Sequence, residues 1–194
     1  MRMQTGLQTQ PNQGLPSFKA DPLNIQGWMD ILELGWLSRQ AKIYKSVVEI
    51  GAWKGRSTAA LLNTCPGTVT VVDHFKGTPS ELSTSHFEAC YADIYSQFME
   101  NVGHFPNLKV LRMDSVEASK EFADQSVEMV FIDADHTHDA VIRDINAWLP
   151  KCSRLLCGHD SYDVRKALDE SGIEWFHGPG LIWFADISRV ERDA

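Results

Sequence analysis

The chain has no excess of positive charge, no long apolar run and few cysteines. Its 18 lysines and arginines stand against 26 aspartates and glutamates, a formal charge of −8. That excludes broad binding to nucleic acid or anionic membrane, which needs a basic surface. No stretch approaches the roughly 18 apolar residues of a membrane span. Met1 to Lys19 is polar and lacks the apolar core of a secretory signal. Cys65, Cys90, Cys152 and Cys157 show no metal-finger spacing, and Cys65 and Cys157 sit in or beside apolar segments that suit buried thiols. A reduced, cytoplasmic setting is expected. Repeats and low-complexity tracts are absent. Also missing is the third glycine of a dinucleotide-binding loop, a lack that bears on which ligand the chain holds.

What is present is an ordinary globular composition, 43% hydrophobic and 23% charged over 194 residues. Residues 1–20, rich in Gln, Pro, Gly and Thr, read as a loose arm, and 21–194 as a single domain. Trp28, Ile31, Leu32 and Trp36 recur at helical spacing and predict an amphipathic helix over roughly 26–42. From residue 46 strands and helices alternate. Strands are expected at 46–50, 68–72, 108–113, 127–132, 155–157, 173–176 and 181–187. Helices are expected at 57–63, 140–149 and 164–170. The pattern is that of an α/β protein with a doubly wound, mostly parallel seven-stranded sheet, closed by an antiparallel C-terminal strand. Lys76 to Pro106 is an irregular insertion. Phe87, Tyr91, Ile94, Tyr95 and Phe98 give it a helical aromatic face, either packed on the sheet or acting as a lid.

The loop Val47–Ser57, VVEIGAWKGRS, follows the first strand. Gly51 and Gly55 let the backbone turn sharply and approach a ligand closely. Bulky Trp53 and Lys54 between them suit a ligand without a pyrophosphate. In an open parallel sheet, ligands bind beyond the carboxyl ends of the strands. Polar residues stand at those ends in order: Glu49 and Gly51, Asp73 and His74, Asp114 and Ser115, then Asp133. Asp73, 22 residues beyond Gly51, is placed to accept from two ribose hydroxyls. Asp114 and Ser115 are placed beside an adenine. Each acid alone could instead be a helix cap.

Two more clusters carry chemistry: FIDADHTH at 131–138 and GHD at 158–160. With the fourth and fifth strands adjacent, Asp133, His159 and Asp160 converge and can hold Mg²⁺, Mn²⁺ or another transition metal. His136, three residues beyond Asp133, suits a general base, with His138 as the alternative. Asp135 or His138 could also merely cap the following helix.

Together VVEIGAWKGRST (47–58), VVDHF (71–75), MDS (113–115), FIDADHTHDAVIRDINAWLP (131–150) and GHDSY (158–162) resemble the class I S-adenosylmethionine-dependent methyltransferases. They are most similar to the catechol-type and macrolide-sugar O-methyltransferases, over roughly residues 26–187. The resemblance implies a Rossmann-like methyltransferase fold. It implies that Glu49, Gly51, Ala52, Trp53, Gly55 and Ser57 form the loop around the methionine part of the cofactor. Asp73 and His74 would then stand at the ribose, Asp114 and Ser115 at the adenine, and Asp133 beside the cofactor. It also implies a metal on Asp133, His159 and Asp160, with His136 as base. One departure is Lys151–Cys152–Ser153–Arg154, where the family has proline and two glycines. The expected activity is methylation of a small hydroxylated acceptor, with no nucleic-acid or membrane partner and with a homodimer allowed. The competing expectations are an NAD-linked oxidoreductase on the same fold and a non-catalytic cofactor-binding module.

Overall fold

A computed structural model describes residues 20–78, 81 and 83–189. The expected N-terminal arm lies almost wholly outside these residues. The apolar runs of the sequence become strands: β1 Ser46–Ile50, β2 Thr68–Val72 and β4 Val127–Ile132 keep the expected bounds, β3 Leu108–Leu111 ends two residues early, and β5 Cys152–Gly158 extends well beyond the expected 155–157. Two short strands close the chain, β6 Phe176–His177 and β7 Trp183–Asp186. The sheet order is β3-β2-β1-β4-β5-β7-β6. β1 to β5 are parallel, while β7 runs antiparallel to β5 and β6 antiparallel to β7. The seven-stranded, mostly parallel sheet expected from the sequence is therefore present.

Strand periodicity divides the core in two. Val47 faces Val69, Val71, Met129 and Phe131, covered by Leu37, Leu61 and Phe98. Those three come from α1 (Ile31–Ala41), α2 (Arg56–Thr64) and α3 (Ile94–Val102). Val48 and Ile50 face the other side with Val130, Ile132 and Leu156. There Ile145 and Trp148 of α5 (His138–Trp148) and Leu168 of α6 (Arg165–Glu170) cover them. A short α4, Ser115–Ser119, was not anticipated from the sequence. No disulfide joins the cysteines, and Cys65, Cys152 and Cys157 are buried. Among the described residues no helix is long and apolar enough to cross a membrane.

Two expectations fail locally. The helix expected over 26–42 starts only at Ile31, because Asp30 caps it: its carboxylate accepts from the amides of Leu32 and Glu33, and Glu33 returns a bond from the Asp30 amide. The stripe of Trp28, Ile31 and Leu32 is not the core face. Ile31 and Leu32 are 65% and 66% exposed, while Leu34, Leu37 and Ala41 are buried. In the insertion, the expected continuous aromatic face is broken at Asp93, which caps α3. Ile94 and Phe98 beyond the break are buried, and Phe87 and Tyr91 before it are exposed.

Candidate active site

The sheet order reverses between β1 and β4, so the loops after these strands part and leave a crevice at the carboxyl ends. A cleft of about 570 Å³ occupies it. Twelve of the fourteen residues expected at the site line this cleft: Gly51, Ala52, Trp53, Ser57, Asp73, His74, Asp114, Ser115, Asp133, His136, His159 and Asp160.

The glycine loop is shaped by contact with β4. Gly51 has φ +81, and a Cβ there would lie 2.0 Å from the Asp133 carbonyl oxygen. Trp53 also takes a left-handed conformation, φ 49. The turn folds back on Asp73, whose Oδ2 accepts from the amides of Ala52 (2.8 Å) and Trp53 (3.2 Å). Its Oδ1 accepts from the Phe75 amide at 2.6 Å. Asp73 is thus held rigidly at the cleft wall, and a carboxylate has lone pairs left for a ligand.

Glu49 and Gly55 are the two expected site residues that do not reach the cleft wall. Gly55 opens α2 at φ +93, and the place of its missing Cβ lies 3.2 Å from Phe98 and Val102. Its role is close packing on α3. Glu49 faces into the sheet because residues of one strand alternate sides. It is fully buried, and its Oε2 accepts from the Thr58 hydroxyl. Burial pushes its carboxyl up from 4.5 to about 8, against the hydrogen bonds of Ser57 and Thr58. A raised carboxyl pKa means that the folded chain keeps a proton that the unfolded chain releases between pH 4.5 and about 8. Stability should therefore fall as pH rises through that window, by on the order of 4–5 kcal/mol, and then level off. Glu49→Gln should remove this slope, so that the variant gains on the wild type as pH rises. Urea midpoints at pH 5, 7 and 9 check it, and parallel curves for the two proteins would refute it.

At the other end of the cleft, Asp114 caps α4. Its Oδ1 accepts from the amides of Val116 (2.9 Å) and Glu117 (3.2 Å), so the helix-cap reading accounts for one oxygen. The Ser115 hydroxyl accepts from the Trp148 indole at 2.9 Å. Beside it Asp144, also on the cleft wall, is raised to about 6 by burial, opposed by its bond to Ser115.

The third corner gathers the residues singled out for metal and base. β4 and β5 are paired, so Asp133 and the His159–Asp160 pair emerge together. One ligand atom from each of Asp133, His159 and Asp160 lies within 4.8 Å of the others. Two carboxylate oxygens and an imidazole nitrogen fit a hard or borderline divalent cation. Asp160 is held at φ 54, a strained conformation for a residue with a side chain and one that clusters at functional sites. His136 Nε2 stands 3.0 Å from Asp160 Oδ2 and 3.7 Å from Asp133 Oδ1. It is buried yet aligned for a hydrogen bond with neither. Burial alone would lower the His136 pKa, but the two carboxylates outweigh it and hold the imidazole at about 11. His159 is likewise held up at about 9, burial again opposing the carboxylates. Asp160, against burial, is held well below the usual carboxylate range by the two imidazoles. The imidazolium of His136 thus balances this acidic corner. It can act as a base only when another cation takes over that balance. His138, the alternative base, lies elsewhere, paired with Asp139 (2.9 Å) and Glu170 (2.7 Å). Asp135 sits at the cleft wall and accepts from the Thr137 amide.

The insertion supplies groups that sequence reading missed. Glu81 Oε1 lies 3.0 Å from His136 Nδ1, on the side away from Asp160. His86 accepts from the Thr78 amide at 3.1 Å and stacks on Trp53 at 4.6 Å, with Trp28 edge-on at 5.4 Å. The Trp53 indole nitrogen is buried without a hydrogen-bond partner among the described residues. Lys54, buried inside the glycine loop, reaches Gln26 and Glu88 and so ties the insertion to that loop. No local motif marks Glu81 or His86, since Glu81 meets His136 and His86 stacks on Trp53, both distant in the chain.

Residues 48–161 match the family model of the methyltransferase domain. The chain belongs to that family. Solved structures share the fold of this methyltransferase domain at low identity. The O-methyltransferase NovP gives a TM-score of 0.66 at 13% identity, over 82% of this chain and 81% of that one. A protein of Corynebacterium glutamicum gives 0.61 at 16%, over 84% and 83%. The O-methyltransferase from Bacillus cereus in complex with SAH gives 0.58 at 14%, over 82% and 82%. Among curated proteins no sequence matches. The resemblance of the motifs to class I methyltransferases therefore holds for family and fold.

Proposed function

We propose that the chain transfers a methyl group from S-adenosylmethionine to a hydroxyl of a small acceptor, with a divalent cation on Asp133, His159 and Asp160 and with His136 as base. The observation that carries this reading is His136 Nε2, buried and unaligned, facing Asp133 and Asp160 in the cleft that the glycine loop also lines. The cofactor supplies a methyl group already activated on a sulfonium, so the protein's task is positioning and deprotonation. The turn from Gly51 to Trp53 lines the place for the methionine part. Asp73 offers its remaining lone pairs to the ribose, and Asp114 Oδ2 with Ser115 stands at the adenine. A divalent cation at the acidic corner would lower the pKa of a bound hydroxyl. His136 takes the hydroxyl proton at Nε2, while Glu81 holds Nδ1 and fixes the ring. SAH in the Bacillus cereus structure and the O-methyltransferase neighbours support the choice of donor and of oxygen as acceptor atom.

The test is transfer of labelled methyl from S-adenosylmethionine to a panel of phenols and sugars, with Mn²⁺ and with EDTA. Transfer with Mn²⁺ that is lost in EDTA supports the reading. Undiminished transfer in EDTA refutes the cation, and methylation confined to amines or thiols refutes the hydroxyl.

A further inference from the structure

The first turn of α1 carries a carboxylate that the cleft wall does not include. Glu33 is buried, and both its oxygens are engaged. Oε2 accepts from the Asp30 amide at 2.7 Å, and Oε1 accepts from the Leu181 amide at 2.8 Å. Oε1 also lies 3.1 Å from His159 Nε2. With Oε1 already accepting from the Leu181 amide, the contact is completed by an N–H at His159 Nε2. The nitrogen left over is Nδ1, 3.0 Å from Asp160 Oδ2 and 3.9 Å from Asp133 Oδ1. The chain also keeps room for this contact. A Cβ on Gly180 would lie 2.2 Å from Glu33 Oε1.

We propose that Glu33 is a positioning residue: it fixes the tautomer and orientation of His159, so that Nδ1 is the nitrogen offered to the divalent cation shared with Asp133 and Asp160. The inference rests on the cation in the proposed function and adds to it a carboxylate from a helix, 126 residues before His159 in the chain. A histidine that ligates a metal generally donates its other N–H to a carboxylate or carbonyl, and removal of that partner weakens metal binding about 10- to 100-fold. The capping bond of Glu33 explains why the carboxylate is ordered. It does not explain why its second oxygen reaches across to β5.

The experiment is calorimetric titration of the full chain with Mn²⁺, and separately with S-adenosylhomocysteine. Glu33→Ala, which removes the acceptor, should raise the Mn²⁺ Kd by about 10- to 100-fold and leave S-adenosylhomocysteine affinity unchanged. Asp30→Ala is the control. It breaks the same capping box from the other side but leaves the Glu33 carboxylate in place, so it should lower Tm and keep the wild-type Mn²⁺ affinity. Gly180→Ala, which crowds Glu33 Oε1, should weaken Mn²⁺ binding and gives a second route should Glu33→Ala fold poorly. Wild-type Mn²⁺ affinity in Glu33→Ala overturns the proposal, and so does an equal loss in Asp30→Ala. A wild-type protein that binds S-adenosylhomocysteine but no Mn²⁺ overturns instead the cation on which the proposal rests.

Discussion

Replacing His136 with alanine should lower methyl transfer by about 10²- to 10⁴-fold and leave the affinity for S-adenosylhomocysteine unchanged. His136 Nε2 faces the acidic corner, 3.0 Å from Asp160 Oδ2, and Nδ1 is held by Glu81 at 3.0 Å. It is not one of the loop residues expected to grip the donor, so its loss should fall on kcat rather than on donor binding. The other two histidines near the corner cannot replace it. His159 is engaged with Glu33, and the His86 Nδ1 accepts from the Thr78 amide. Single-turnover transfer, read beside calorimetry of S-adenosylhomocysteine, checks the split. Undiminished transfer in the variant would remove His136 as the base.

Gly51→Ala should cost about 3–5 kcal/mol of stability and abolish donor binding, because it combines backbone strain with an overlap that cannot relax. The added methyl would meet the Asp133 carbonyl oxygen at 2.0 Å, its carbon at 2.6 Å and the Ala134 Cα at 2.8 Å. All three are backbone atoms of the segment that leaves β4, and the Asp133 amide is itself bonded to the Ile50 carbonyl at 2.8 Å. No side chain can rotate out of the way, and φ +81 already disfavours alanine. The two sheet-end loops would have to separate, taking Asp73 and Asp133 out of register. A Tm about 10 °C lower, with no heat on titration with S-adenosylhomocysteine, is the expected result. A variant with wild-type Tm would refute the close approach.

Much of this arrangement was legible in the sequence because it is local. Val47–Ile50, Thr68–Val72 and Val127–Ile132 are short β-branched runs, and each runs out at a glycine or an aspartate where a parallel sheet puts its ligand. The order of those ends is enough to bring Gly51, Asp73, Asp114 and Asp133 to one cleft. What escaped the sequence depends on facing or on distance. Glu49 stands at a strand end like Asp73, but two-residue alternation turns it inward, behind the loop. The first turn of α1 has apolar residues on two stripes, and only packing on α2 decides that Leu34 and Leu37 are buried while Ile31 and Leu32 are exposed. The spacing of Asp30 and Glu33 was readable as a capping box and would have shortened the helix. Its second use, at His159, was not readable, because it needs β5 and Leu181 beside α1. Glu81 and His86 lie in an irregular insertion with no periodicity, where only the fold shows what they face.

We propose that the cleft holds an S-adenosyl ligand rather than a dinucleotide. Calorimetric titration of the full chain with S-adenosylhomocysteine, and under the same conditions with NAD, tests it most directly. The expected result is one S-adenosylhomocysteine per chain and no heat from NAD, since the loop lacks the third glycine of a pyrophosphate site and sets bulky Trp53 on the cleft wall. Saturable NAD binding with none of S-adenosylhomocysteine would contradict it.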